Sequence, residues 1–229
     1  MVHRLHSWSV TPKEAVRIQK ELAGTVTSGP FRKKITSVAG TDISFDRRGN
    51  MLFAAVLVFS YPSLDMIERQ FAVREADFPY VPGLLSFREI PALIDCFEKL
   101  NKAPDIILCD GQGKAHPRRF GLASHLGVLL ERPAVGVAKS RLVGNGPEPG
   151  KIKGCVSPLM DKDEEIGKII RTKDNVKPLF ISIGHITDLQ TAVKVVLQCC
   201  TRYRLPEPNR LAHIEVNRIR KQYLSGVIR

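Results

Sequence analysis

Apolar residues recur along this chain at two periods, one typical of helices and one typical of buried strands. The helical period comes first. Residues 11–14, Thr-Pro-Lys-Glu, combine a capping threonine, a first-turn proline and a capping-box glutamate. Ala15, Ile18 and Leu22 then supply an apolar stripe, and Gly24 is expected to end the helix. A helix with one apolar stripe is predicted to pack by that face against a core.

Three segments that predict strands follow at residues 37–45, 51–60 and 66–73, and the second of them is strongly apolar. Turn residues at 46–50 and 61–63 separate them, so an antiparallel meander is expected. Shorter apolar runs then predict a strand that ends at Cys109, a helix over residues 121–130 and a strand over 134–138. A strand, a helix and a strand in this order favour a parallel pair.

The rest of the chain predicts strands at residues 152–160, 166–171 and 179–183, and then helices that open at Thr187 with Gln190 and at Pro206. A helix over about residues 86–100 precedes the parallel strands and starts at Ser86 or at Pro91. The connections are short, which favours a single α/β domain over residues 1–229. The predicted fold is a central mixed sheet, with three antiparallel strands followed by parallel strands, flanked by helices.

The most informative stretch is residues 104–116, Pro-Asp-Ile-Ile-Leu-Cys-Asp-Gly-Gln-Gly-Lys-Ala-His. Its apolar part predicts a strand buried on both faces, and it ends on Asp110. Open α/β sheets place ligands at the carboxyl ends of such strands. Asp110 also suits the start of a turn in which Gly111 and Gly113 supply positive φ. The pattern alone leaves a binding site and a simple turn equally open.

The charge balance indicates a polyanionic partner. The 229 residues carry 35 Lys and Arg against 23 Asp and Glu, a formal net charge of +12. Nucleic acid is the first candidate, an anionic membrane surface is the second, and a solubilising basic surface is the remaining alternative. Five cysteines without a Cys-x-x-Cys pair, and no leading apolar segment, favour a reduced, cytoplasmic protein. No apolar run approaches ~18 residues, so no membrane span is predicted.

Three acids on separate predicted elements are the candidates for chemistry. Asp42 lies inside a strand among apolar and small residues, where a carboxylate has to be paired, hydrogen-bonded or metal-bound. Glu89 has a structural alternative, because Ser86-x-x-Glu89 matches a capping box, and taken alone that interpretation is favoured. With Asp110, these acids suit Mg²⁺ or Mn²⁺, which take oxygen ligands and assist phosphodiester cleavage.

Three basic residues carry weaker signals. Lys139 ends a predicted strand, where it could balance the acids or simply be solvated. His213 lies beside the inner stripe of the last helix, a place more typical of a partly buried residue than of a catalyst. His116 precedes a proline and two arginines, which favours a contact with a phosphate or a base.

Residues 78–83, Phe-Pro-Tyr-Val-Pro-Gly, predict a stiff projecting loop, because two prolines exclude regular structure. Tyr80 between the prolines is a candidate wedge that fills a base stack when a nucleotide is extruded. The alternative is a tyrosine that folds back onto the core.

Nine motifs along the chain resemble those of one enzyme family. They are residues 40–44 (GTDIS), 79–83 (PYVPG), 85–89 (LSFRE), 110–113 (DGQG), 115–118 (AHPR), 121–127 (GLASHLG), 136–140 (GVAKS), 203–208 (YRLPEP) and 210–213 (RLAH). Together the chain resembles endonuclease V, a family of deoxyinosine-directed repair nucleases with a ribonuclease H-like fold. The resemblance extends over about residues 11–213. One departure is visible at Ser182-Ile183-Gly184-His185, where bacterial members commonly carry Ser-Pro-Gly-His, and no role is assigned to His185.

The resemblance implies roles by position. Asp42, Glu89 and Asp110 would hold Mg²⁺, for which Mn²⁺ could substitute, while Lys139 and His213 would assist at the scissile phosphate. Pro79, Tyr80, Val81 and Pro82 would form the wedge at the lesion. The remaining residues expected to contact the substrate are Gly83, Leu85, Gly111, Gly113, His116, Leu122 and Ser140.

The activity implied is hydrolysis of the second phosphodiester bond on the 3′ side of deoxyinosine in DNA, which leaves a 3′-hydroxyl and a 5′-phosphate. The expected partner is single- or double-stranded DNA that contains deoxyinosine, and the expected state is a monomer. An inosine-specific endoribonuclease is the nearer alternative, although Pro82, where animal relatives commonly carry serine, favours DNA. A non-catalytic basic nucleic-acid-binding protein is the alternative from another class, and the intact set of acids disfavours it.

Overall fold

The structure, a computed structural model, describes residues 2–46 and 50–227. Its strands are β1 (Ser37–Phe45), β2 (Met51–Ser60), β3 (Met66–Glu75), β4 (Ile106–Cys109), β5 (Ala134–Ala138), β6 (Val156–Asp161), β7 (Glu164–Ile170) and β8 (Leu179–His185). They form one sheet in the order β3-β2-β1-β4-β5-β8-β7-β6. The predicted mixed sheet is confirmed.

The type of pairing between neighbouring strands changes twice across this sheet, from antiparallel to parallel and back. β1, β2 and β3 are antiparallel neighbours, as the meander predicted. β4 pairs parallel with both β1 and β5, so the carboxyl ends of these three strands meet at one edge. β8, β7 and β6 then continue the sheet as antiparallel strands. The turn predicted at residues 46–50 includes residues 47–49, which lie outside the described part of the chain.

Five helices surround the sheet: α1 (Pro12–Ala23), α2 (Leu85–Phe97), α3 (Leu122–Leu130), α4 (Leu189–Cys199) and α5 (Glu207–Leu224). Helices α2 and α3 contribute Leu93 and Leu126 to one apolar core. Helices α4 and α5 contribute Val196 and Val216 to another. β4 lies between these two cores and is buried along its whole length, which explains its unbroken apolar sequence. None of the helices in the described part of the chain has the length and apolar character needed to cross a bilayer.

Several predicted boundaries are wrong for local reasons. Helix α2 begins at Leu85 rather than at Ser86, has no side-chain cap and continues through Pro91. Helix α4 is capped by Asp188 and not by the predicted Thr187. The Asp188 carboxylate accepts a hydrogen bond from the Thr191 amide. β6 starts at residue 156 rather than 152. The predicted start of α1 is confirmed, because Thr11 and the glutamate three residues later form a complete capping box.

Candidate active site

Two of the predicted acids lie side by side because their strands are parallel. In the register of β1 and β4, Thr41 lies opposite Cys109. Asp42, inside β1, and Asp110, just after β4, each come one residue later, so they lie side by side where β4 ends. Their carboxyl groups are within hydrogen-bonding reach of each other. Asp42 is buried, with 5% of its surface exposed, whereas Asp110 is half-buried. The interpretation of Asp110 as only a turn residue is therefore insufficient.

Glu89 reaches the same edge from α2. The capping-box interpretation of this residue is wrong, because Ser86 lies inside the helix and its hydroxyl contacts His125 Nδ1 at 3.1 Å. Glu89 is half-buried one turn after the start of α2, and it interacts electrostatically with both Asp42 and Asp110. The structure therefore brings all three predicted acids together.

His213 is positioned by a close approach between α5 and β1. At Gly40 a side chain would collide with the main chain of Pro208 at the start of α5. The close contact allows His213 Nδ1 to lie 2.8 Å from Asp42 Oδ2. Because Asn217 Nδ2 donates to the other ring nitrogen at 3.2 Å, the proton of His213 is on Nδ1 and is donated to Asp42. The side chain is 52% exposed, so His213 is not the partly buried residue that its helix position suggested.

Lys139 follows β5 and forms an ion pair with Asp110. Its main-chain carbonyl accepts a hydrogen bond of 2.9 Å from Arg204 Nη2, which fixes the end of this strand. Lys139 is exposed, but it is not a merely solvated strand end, since its ammonium group lies against the acids. The Lys139 ammonium group therefore offsets part of the negative charge of the aspartates.

Burial and mutual repulsion oppose ionisation of these acids. Desolvation, followed by contact with Asp110, raises the pKa of Asp42 to about 9. Desolvation and the charge of Asp110 raise the pKa of Glu89 to about 8. A bound cation reverses this situation, because it stabilises the ionised form of nearby carboxylates. The electrostatics of this edge therefore favour the uptake of a cation.

The donor set suits a hard divalent ion that brings other ligands with it. In residues 2–46 and 50–227, no group of three or more His, Cys, Asp and Glu side chains has the arrangement needed to hold an ion. Mg²⁺ commonly binds through one or two carboxylates and keeps water or substrate phosphate as its other ligands. Asp42 and Asp110 supply such carboxylates, and Glu89 lies beside them, so the residues present fit Mg²⁺ or Mn²⁺.

A cleft of about 430 Å³ opens next to the acids. Asp110 and Lys139 lie in its wall, so the cleft and the acid cluster are continuous. Nine of the predicted substrate-binding residues line it: Tyr80, Val81, Pro82, Gly83, Leu85, Gly111, His116, Leu122 and Ser140. A space of this volume accommodates a small organic group such as a nucleobase.

Two predicted pocket residues lie elsewhere. Gly113 does not line the cleft. A side chain on it would collide with the carbonyl of Ile183 on β8, so the absence of a side chain allows β8 to pack closely here. Pro79 also lies outside the lining, although it is exposed like the neighbouring Tyr80. His116 lines the cleft, but both its ring nitrogens already contact groups of the protein, Gly83 and Arg118.

Tyr80 projects from the rim of the cleft. Its side chain is 71% exposed, so the alternative in which it folds back onto the core is wrong. Seven lining residues were not predicted as site residues from the sequence: Gln19, Ser86, Gln112, Gly121, Ala138, Arg141 and Leu142. A signal for Gln19 existed, because position 19 falls on the apolar stripe of α1 and a polar residue there needs a partner.

This chain is similar to known proteins in both sequence and fold. The profile of the Endonuclease V family matches residues 20–214. Endonuclease V of Trichormus variabilis is 50% identical over 212 residues, which cover 92% of this chain and 96% of that protein. The crystal structure of the endonuclease V from Streptomyces avermitilis matches with a TM-score of 0.91 at 40% identity, covering 95% of this chain and 96% of that one.

A third relative was crystallised with nucleic acid. Endonuclease V of Ciona intestinalis, in complex with a 24mer DNA containing an inosine followed by a ribo-adenosine, has a TM-score of 0.81 at 29% identity. That match covers 92% of this chain and 98% of the Ciona chain. These likenesses define the protein as a nuclease with a mixed α/β sheet. The chain belongs to the endonuclease V family, as its motifs predicted.

Proposed function

We propose that the protein is an endonuclease that recognises deoxyinosine in DNA and hydrolyses the second phosphodiester bond on its 3′ side. The observation that carries the proposal is the continuity of the acid cluster with the cleft: Asp110 and Lys139 belong to both. A base held in the cleft would keep the neighbouring backbone near the carboxylates. The inosine-containing DNA in the complex of the Ciona relative supports this choice of substrate.

Asp42, Asp110 and Glu89 are the residues that would hold Mg²⁺, with Mn²⁺ as a substitute. When bound, such an ion activates water and neutralises charge on the phosphate and the leaving oxygen. His213 donates a hydrogen bond to Asp42 Oδ2 and so keeps that carboxylate oriented. Lys139, held through its carbonyl by Arg204, would place a positive charge at the scissile phosphate.

The cleft would discriminate hypoxanthine from adenine by hydrogen-bonding pattern. Hypoxanthine carries a carbonyl and a ring N–H where adenine carries an amino group and an unprotonated nitrogen. Backbone groups of the lining residues Leu85 and Gly111 would present fixed donors and acceptors to the base, while Gly83 shapes the wall and its carbonyl is held by the protein itself. Tyr80 at the rim would fill the place of the extruded base and keep the strands apart.

The test is cleavage of labelled duplexes that differ in one deoxyinosine, with Mg²⁺ and with a chelator. We expect a single nick, two bonds to the 3′ side of the lesion, that requires the metal. Asp42→Ala and Asp110→Ala should each reduce the rate by roughly a thousandfold and still bind the lesion, because the residues expected to contact the base are unchanged. The matched control is Asp163→Ala, which removes an exposed acid from the β6–β7 turn. Robust nicking by either active-site variant would refute the metal assignment.

An RNA substrate is the second candidate, since the DNA in the Ciona complex carries a ribo-adenosine after its inosine. Matched DNA and RNA strands with one inosine each decide between the two. Faster cleavage of the RNA strand would replace the DNA proposal with an endoribonuclease, because the 2′-hydroxyl distinguishes the two substrates.

A further inference from the structure

Helix α1 contacts both ends of the loop that carries Tyr80. Its apolar stripe, with Ala15 fully buried and Ile18 7% exposed, packs against Phe78 and Leu84. These two residues flank the segment 79–83, hereafter the wedge segment. The apolar contacts of α1 therefore hold both ends of the wedge segment against the body of the protein.

One polar residue, Gln19, interrupts this apolar face. It is only 1% exposed. Its Nε2 donates to the carbonyl of Gly83 at 3.1 Å and to the carbonyl of Phe120 at 3.0 Å. Its Oε1 accepts from Arg118 Nε at 2.6 Å. Every hydrogen of the amide group has a partner and its oxygen is paired, as a polar side chain in a core requires.

Two further donors converge on the carbonyl oxygen of Gly83. Arg118 Nη2 lies 2.7 Å from it and His116 Nε2 lies 3.1 Å from it. A carbonyl only accepts, so His116 carries its proton on Nε2, while its Nδ1 accepts from the Arg118 amide at 3.2 Å. Burial, with the neighbouring guanidinium, lowers the pKa of His116 to about 4 and keeps the ring neutral. The last residue of the wedge segment is therefore held by three donors.

The first end of the wedge segment is held in a comparable way. Arg88 Nη1 donates to the carbonyl of Phe78 at 2.7 Å. Between the two fixed ends, Tyr80 remains 71% exposed. An exposed aromatic on a segment with fixed ends loses little conformational entropy when it enters a base stack.

We propose that Gln19 is a positioning residue for strand separation: together with Arg118 and His116 it holds the Gly83 carbonyl, and so keeps Tyr80 in the orientation that enters the duplex. This inference rests on the proposed function. If Gln19 acts in this way, its loss should mainly slow the cleavage of duplex substrates, in which strands must be separated. A single strand needs no separation, so its cleavage depends less on Gln19.

The test compares single-turnover nicking of a duplex and of a single strand, each with one deoxyinosine. Gln19→Met keeps the length and packing of the side chain and removes its hydrogen bonds. Because Gln19 also lines the cleft, both rates should fall, but we expect the ratio of the duplex rate to the single-strand rate to fall by about fivefold or more. The fluorescence of 2-aminopurine placed beside the deoxyinosine should also increase less than with the wild type, because fewer bases are unstacked.

The matched control is Ile18→Val, which loosens the same face of α1 without touching a hydrogen bond. It should lower the melting temperature and leave the ratio of duplex to single-strand rates unchanged. Gln19→Glu is the second variant. It keeps the acceptor for Arg118, loses the donors to Gly83 and Phe120, and should show the same selective loss even if Gln19→Met does not fold.

A double-variant cycle with Tyr80→Ala completes the test. If Gln19 acts through Tyr80, adding Gln19→Met to Tyr80→Ala should cause little further loss on the duplex. Equal losses on both substrates, or losses that multiply in the double variant, would overturn the inference. A wild-type protein that nicks neither substrate would instead refute the proposed function, and this inference with it.

Discussion

On one side of the cleft, Asp42 and Glu89 carry carboxyl groups whose pKa values are raised to about 9 and about 8. On the other side, Gln19, His116 and Arg118 form a closed set of hydrogen bonds around the carbonyl of Gly83. On the first side, hereafter the acid side, ionisation of the carboxyl groups is unfavourable until a cation binds. On the second side, hereafter the wedge side, these polar groups are already hydrogen-bonded to each other without a substrate.

This difference separates two requirements of a site that would bind and cut nucleic acid. Metal-assisted cleavage needs ionised oxygens near a cation, and carboxylates crowded together provide them at a cost in stability. Separation of strands needs a rigid element, and rigidity comes from complete hydrogen bonding and apolar packing. Substitutions on the two sides should therefore differ in which substrate and which condition they affect.

Among changes that leave the three acids in place, removal of the Lys139 charge should have the largest effect. Lys139→Ala is expected to reduce the nicking rate by about a hundredfold, because no other ammonium faces Asp110 in the part of the chain that the structure describes. Lesion binding should change much less. Lys162→Ala, which removes an exposed lysine from the β6–β7 turn, is the control in single-turnover assays. Equal rates for Lys139→Ala and wild type would remove Lys139 from the acid side.

Tyr80→Ala tests the wedge side. The variant should lose about tenfold in nicking of an inosine duplex and far less on a single strand, because base–aromatic stacking is worth about 1–3 kcal/mol. Tyr80→Phe keeps the ring and should retain most of the activity. The ratio of the two rates is the measurement. A loss of the same size on both substrates would show that Tyr80 does not separate strands.

The pH dependence of metal use should be confined to the acid side. Below the raised pKa values of Asp42 and Glu89, protons occupy the carboxyl groups and compete with Mg²⁺. As pH rises from about 6 to about 8, the Mg²⁺ concentration for half-maximal nicking is expected to fall by about tenfold or more. At saturating Mg²⁺ the dependence should shrink. A half-maximal concentration that stays constant over this range would contradict the raised pKa values.

The smallest effect should be a gain in stability. The pKa of Asp42 is about 9 in the folded protein and about 4 in an unfolded chain, so its stabilising contribution is complete below pH ~4 and is lost as pH rises to ~9. Asp42→Asn should therefore raise the melting temperature of the metal-free protein by about 2–4 °C at pH ~8. The gain should narrow towards pH ~5 and when Mg²⁺ is added. A lower melting temperature at pH ~8 would mean that the carboxylate stabilises the fold.

Much of the acid side was visible in the sequence. An aspartate inside an apolar strand and an aspartate at the end of another are local anomalies, and Asp42 and Asp110 lie where those anomalies predicted. Glu89 was harder to interpret, since a serine three residues earlier gave it a complete structural explanation. That serine instead contacts His125, a residue distant in sequence, and local spacing carries no information about such a contact.

Only part of the wedge side could be predicted from the sequence. The prolines predicted a projecting Tyr80, but Gln19 lay unnoticed within an apolar stripe. Its partners, Gly83, Arg118 and Phe120, are 64 to 101 residues away along the chain. Gly113 was assigned to the pocket because glycine allows many kinds of close approach. In the structure, the segment that lies close to Gly113 is β8.

By itself, the sequence determined the order of the elements, the mixed sheet, the family and the residue types available for chemistry. These follow from periodicity, capping and long motifs, which are local properties of the chain. The tertiary structure alone decided which side chains meet. The parallel register of β1 with β4 brings the aspartates together, and the packing of α1 on the wedge segment gives Gln19 its partners. Both depend on contacts between distant segments, and a local pattern can mark a residue that needs a partner without identifying that partner.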